Sequence, residues 1–99
     1  MIDKLIKKSF DESLLLNKLS IIKFKKKIIL VLKIFKKKIK SNNTIFWCGN
    51  GGSASQSDHL SAELVGRFKK NRKPINSVSL TANSTYLTCV SNDFNFENI

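Results

Sequence analysis

A chain of 99 residues that is 41% hydrophobic has room for one small domain, and its last stretch, Asn92 to Ile99, carries no polar tail, so it reads as half of a larger domain. The net charge of +11 is lopsided: residues 1–40 hold 13 Lys against 3 acids, whereas residues 41–99 hold 5 Lys or Arg against 4 acids. Cys48 and Cys89 are too far apart for a close-spaced metal or redox motif, and with no secretory leader at the start they imply reduced thiols in a cytoplasmic protein.

Residues 3–16 predict a short amphipathic helix, with Leu5, Ile6, Phe10, Leu14 and Leu15 at helical spacing. Ser20 is the expected cap of a second helix reaching about Lys40, striped by Ile21, Phe24, Ile28, Leu32, Phe35 and Ile39. Two such stripes demand partners, within a larger domain or between subunits, so residues 1–42 read as a helical arm for oligomerisation. The lysines are interleaved with a regular apolar pattern. That reads as a solvated face, so neither nucleic acid nor a membrane is expected as a partner; the alternative is a basic arm at residues 1–40 that binds nucleic acid or an anionic membrane surface. The apolar run at residues 28–32 is only 5 long, far below the ~20 that span a bilayer.

After a turn at Ser41–Asn43, the wholly apolar run from Thr44 to Cys48 predicts a strand buried on both faces, as in a parallel sheet. Gly49 to Gly52 form a loop. Ser53, with Gln56 three on, has capping-box spacing for a helix to about Phe68 that buries Leu60, Leu64, Val65 and Phe68. A charged loop closes at Pro74, the only proline. Asn76 to Leu80 predict a second strand, Thr81–Asn83 a loop, and Ser84 the cap of a helix to about Ser91. Phe35, Phe46, Trp47 and both cysteines are expected in the core. Strand, helix, strand, helix from Thr44 places residues 43–99 in the α/β class, as the first part of a doubly wound parallel sheet. Gly49–Ser53 and Thr81–Ser84 both follow strands, at the end where such sheets bind ligands.

The glycine turn lets the backbone approach an oxyanion, and the following helix offers unpaired N–H groups and the positive end of its dipole. His59 and Glu63 lie four apart and share a helix face beside that turn. Arg67, four further on, reads either as an ion partner of Glu63 or as a clamp on an anionic substrate. A phosphate cradle next to an ionisable pair suggests a phosphorylated small molecule and proton transfer. One His and one Glu are too few for a metal site, so other ligands would come from elsewhere.

Cys-Gly-Asn-Gly-Gly-Ser-Ala at 48–54, His59, Ala62-Glu63-Leu64-Val65-Gly66-Arg67-Phe68 and Ser91-Asn92-Asp93-Phe94 together resemble the phosphoheptose isomerases, members of the sugar isomerase (SIS) fold. The resemblance covers residues 44–99 well and the N-terminal helices loosely. It implies an αβα sandwich, N-terminal helices packed into a homotetramer, and active sites shared between subunits. The activity it implies is conversion of sedoheptulose 7-phosphate to D-glycero-D-manno-heptose 7-phosphate, for lipopolysaccharide core precursors, with no nucleotide cofactor. By matching position, Glu63 is the base that moves a proton between C1 and C2 through an enediol. His59 is its active-site neighbour, and with Glu63 a ligand where a family member carries zinc. Asn50, Gly51, Gly52, Ser53, Arg67 and Asp93 match substrate-contacting positions. The chain departs from the pattern at Gln56, where the family usually has Asp. Residues 1–99 also lack the family's serine-rich phosphate loop and second catalytic histidine. The alternative is a non-catalytic SIS protein that binds a phosphosugar or associates with a replication initiator. Such proteins tend to lack the glutamate that stands here as Glu63.

Overall fold

The computed structural model describes residues 1–99. The chain divides into two compact units, Met1–Lys37 and Lys38–Ile99.

The first unit is helical throughout. The two expected N-terminal helices are one, α1 (Ile2–Lys40), and Ser20 lies inside it rather than capping a second helix. The reason is local: no Gly or Pro occurs before Gly49, and a lone serine costs a helix little. Asn17 adapts by donating its side-chain amide to the Ser13 carbonyl at 2.9 Å. None of the side chains of α1 is buried; the apolar stripe is exposed, with Phe24, Phe35 and Ile39 the most covered of the predicted stripe residues. No helix is long and apolar enough to cross a membrane.

The second unit begins with the end of α1. Asn42 adopts a left-handed conformation (φ 57°), while Asn42 N–H reaches the Ile39 carbonyl and Asn43 N–H the Lys38 carbonyl, both at 3.0 Å. This is a Schellman closure with asparagine in the place glycine usually takes. The Asn76 side chain donates to both the Asn42 carbonyl (3.3 Å) and Oδ1 (3.0 Å), tying the closure to the second strand.

Strand β1 (Ile45–Trp47) pairs in parallel with β2 (Ser77–Ser79), Ile45 opposite Ser77 and Trp47 opposite Ser79. Between them runs α2 (Gly52–Val65), and after them α3 (Ser84–Asp93) and a short 3-10 turn, Phe96–Asn98. Helix α2 packs on one face of both strands. That face carries Ile45, the buried hydrophobic residue of the chain, with Trp47, Ser77 and Ser79. Alternation sends Phe46 and Val78 to the other face, where both are exposed. The strand is therefore buried on one face within these residues, not on both, and Phe46 is not core.

The buried side of α2 also differs from the expected one. Ser57 and Ser61 are buried, flanked on the same side by Ala54 and Leu64, whereas Leu60, Val65 and Phe68 are exposed. Small side chains let the helix lie close to the strands. Their hydroxyls are satisfied: Trp47 Nε1 donates to Ser77 Oγ at 2.9 Å, Ser77 Oγ to Ser61 Oγ at 3.4 Å, and Ser57 Oγ to the Ser53 carbonyl at 2.8 Å. Cys48 and Cys89 are free and exposed rather than core. Helix α3 is capped by Asn83, not Ser84, through a 3.0 Å bond from Tyr86 N–H to Asn83 Oδ1.

Candidate functional site

The glycine turn joins β1 to α2. Gly51 has φ +60° and caps the helix without a side-chain bond; Ser53 is the helix's second residue, so the expected Ser53–Gln56 capping box does not form. Instead the Ser53 hydroxyl closes the turn on itself, accepting from Asn50 N–H at 2.8 Å and donating to the Asn50 carbonyl at 2.9 Å. Gly49 is required because the turn folds onto the helix start: a Cβ there would collide with the Ser53 carbonyl and lie 2.6 Å from Ser53 Oγ. The bonds that close the turn leave the N–H groups of Gly51, Gly52 and Ser53 to the helix's positive end.

Beside the turn, an open cleft of about 1230 Å³ runs along the carboxyl ends of both strands. Cys48, Gly49, Asn50 and Ala54 form one wall, Leu80 and Thr81 the floor beyond β2, and Tyr86, Leu87, Ser91 and Asn92 of α3 the other wall. Both post-strand loops thus meet at one site, as the strand order requires. A polar network pins the second loop. Asp58 Oδ1 accepts from Ser79 Oγ and from Thr81 Oγ1, the latter at 2.9 Å, and Thr81 Oγ1 also reaches the Ala54 carbonyl at 3.3 Å.

Of the eight residues expected in the site, Asn50 lines the cleft, and Gly51, Gly52 and Ser53 build the turn at its rim. His59 and Glu63 are together but elsewhere: His59 Nε2 and Glu63 Oε1 are 3.0 Å apart, with side chains 75% and 40% exposed. They sit on the side of α2 away from Ser57 and Ser61, so the face they share is not the face that meets the sheet. Arg67 is not on that face at all. Gly66 is extended (φ −76°, ψ −166°) and ends the helix at Val65, leaving Arg67 exposed past the end. Glu63 therefore pairs with His59 and not with Arg67. Asp93 ends α3, exposed, its carboxylate taking bonds from Cys89 Sγ (3.4 Å) and Asn92 Nδ2 (3.2 Å), and only the neighbouring Asn92 lines the cleft.

Two contributors escaped sequence reading. Arg72, expected in an open charged loop, turns back to cap α2, donating to the carbonyls of Glu63 and Leu64 at 2.8 Å each. Asp58 carried a signal, since it stands four residues after Ala54 and so shares the side of α2 that looks along the strand ends. For metal, no group of three or more His, Cys, Asp or Glu gathers anywhere in the chain. His59 and Glu63 bring two donors, so these residues alone do not fit a tetrahedral zinc site.

The family model for the SIS domain matches residues 15–99. Among curated proteins, a phosphoheptose isomerase of Aquifex aeolicus is 39% identical over all 99 residues, covering 51% of that protein. One of Akkermansia muciniphila is 51% identical over 61 residues, which is 62% of this chain and 32% of the relative. The chain thus spans about half or less of the length of these relatives. In a solved structure of phosphoheptose isomerase GmhA from Neisseria gonorrhoeae, the match covers 99% of this chain and 50% of that one, with a TM-score of 0.86 at 23% identity, a likeness of fold.

Proposed function

The chain belongs to the SIS domain family, and from that premise we propose that it forms part of an aldose–ketose isomerase acting on a seven-carbon sugar phosphate, sedoheptulose 7-phosphate. The observation that carries this reading is the register of three parts: the self-closed turn at Gly49–Ser53, then His59, then Glu63 paired with it at 3.0 Å. The match along the whole chain to the Aquifex aeolicus phosphoheptose isomerase supports it.

In this reading the free N–H groups at the start of α2 and the Asn50 amide hold the phosphorylated sugar. Glu63 takes the proton from one carbon of the C1–C2 pair and returns it to the other, with His59 fixing the carboxylate by hydrogen bond. Donors for the developing enediolate come from outside residues 1–99. Because His59 and Glu63 point away from their own chain's cleft, a site shared between subunits of a homo-oligomer, a tetramer in the reading from resemblance, brings them to a neighbour's sugar. If zinc takes part, His59 and Glu63 are the two donors this chain contributes. The product would feed heptose precursors of lipopolysaccharide in the cytoplasm.

The test is a coupled assay of the complete protein with sedoheptulose 7-phosphate. Glu63→Gln is expected to lower kcat at least ~100-fold, the scale of a lost general base. Retained turnover removes Glu63 from the mechanism. The placement of His59 and Glu63 outside the cleft favours one second reading, a phosphosugar-binding SIS protein without turnover. It predicts saturable sugar phosphate binding with no isomerisation, unchanged by Glu63→Gln.

A further inference from the structure

The lysines of α1 look scattered when residues 3–16 and 20–40 are two helices. On the single helix Ile2–Lys40 they share one frame. At 3.6 residues per turn, about 100° per residue, 10 of the 13 lysines of residues 1–40 fall in a sector roughly 120° wide: Lys4, Lys7, Lys8, Lys18, Lys25, Lys26, Lys33, Lys36, Lys37 and Lys40. The acids of the helix all lie in its first third. Asp11 pairs with Lys7 at 2.6 Å and Glu12 with Lys8 at 3.7 Å, and after Glu12 no acid occurs before Asp58. From Lys18 to Lys40 the sector is cationic, exposed and without a salt bridge.

This arrangement opposes its own helix. Lys33 stands three and four residues from Lys36 and Lys37, and Lys36 four from Lys40, so like charges are stacked on adjacent turns. A rod of phosphates laid along the sector relieves that repulsion and releases counterions. We propose that the lysine sector of α1 is a docking surface for a nucleic-acid duplex, bound through its phosphates without sequence preference. A bilayer fits less well. The apolar stripe through Phe10, Phe24, Ile28 and Phe35 is centred about 120° or more around the helix from the lysine centre, so seating it in lipid turns most of the ammonium groups away from the headgroups. The proposal is independent of the isomerase reading, since it uses none of that site's residues.

The test measures binding of the full chain to a fluorescent mixed-sequence DNA duplex by anisotropy across a salt series. Two variants carry the same charge change: Lys25→Gln with Lys33→Gln inside the sector, and Lys23→Gln with Lys27→Gln outside it. The expected result is binding with a steep salt slope, which the sector variant lowers by about two and weakens about tenfold or more, while the other variant stays within about threefold of the parent. Helicity by circular dichroism should rise on binding the duplex. Equal losses in both variants, no binding at 150 mM salt, or stronger binding to phosphatidylglycerol vesicles than to the duplex overturns the proposal.

Discussion

Gly49 and Gly52 sit in the same turn and answer to different constraints. At Gly49 any side chain meets the Ser53 carbonyl, and because that contact is backbone, the helix start must move. At Gly52 an added Cβ meets nothing within 4 Å, and the residue is the first of α2. Gly49→Ala is expected to destabilise the second unit by about 1–3 kcal/mol, in the range of overpacking elsewhere. Gly52→Ala is expected to be neutral or to gain up to about 1 kcal/mol, through helix propensity and a less free unfolded chain. Urea denaturation of the two variants separates them, and a similar loss in both would mean that the turn is not held by the close approach at Gly49. The sequence showed that glycines were needed here but not which one. Four residues in Cys-Gly-Asn-Gly-Gly can serve a tight turn, and only the fold-back of Ser53 onto Asn50 singles out Gly49. The capping box is missing because Gly51 takes the cap position and Ser53 falls inside the helix as its second residue.

At the scale of elements, α2 shows how far pattern reaches. Its existence and its parallel strands were legible from the shift between a β-rich run and a helical one, and from two strand-to-loop transitions in sequence; its start came out earlier than the expected cap at Ser53, with Gly52 as its first residue. Its buried face was not. Hydrophobicity ranks Leu60 and Val65 above Ser57 and Ser61, but the close packing of a helix on two strands selects small residues whose hydroxyls can find partners. Its end was misread for a related reason: Gly66 stops the helix, and the cap comes from Arg72, remote in pattern and adjacent in space. Arg72→Met keeps the apolar stem and removes the donors. It is expected to cost about 1–3 kcal/mol, as for lost hydrogen bonds from a charged group, and to speed amide exchange in the last turn of α2 while sparing the turn at Gly49–Ser53. Unchanged exchange at Val65 and Gly66 would show that the guanidinium contributes no closure. Because Glu63 lends its carbonyl to this cap, the same loosening would reach the pair with His59.

The whole molecule is short of covering surface. One hydrophobic residue, Ile45, is buried, the Phe46–Val78 face of the sheet is open, and α1, about 58 Å long at 1.5 Å per residue, buries none of its side chains. Helices in proteins owe most of their stability to packing of an apolar face, and α1 carries stacked lysines that work against it. The exposed stripe of Ile6, Phe10, Ile21 and Ile28 is therefore the strongest driving force the chain has for association. The lysine sector lies to one side of that stripe, so self-association through apolar contacts leaves the cationic face available. The full chain is expected to sediment as an oligomer whose mass is insensitive to salt between 50 and 500 mM, the signature of apolar rather than ionic cohesion. Phe24→Ser with Ile28→Ser is expected to shift it toward monomer and to lower helicity in the same experiment, since helix and interface are coupled. A variant that keeps both its mass and its helicity would show that α1 is stable by itself and that association, if any, runs through the open face of the sheet.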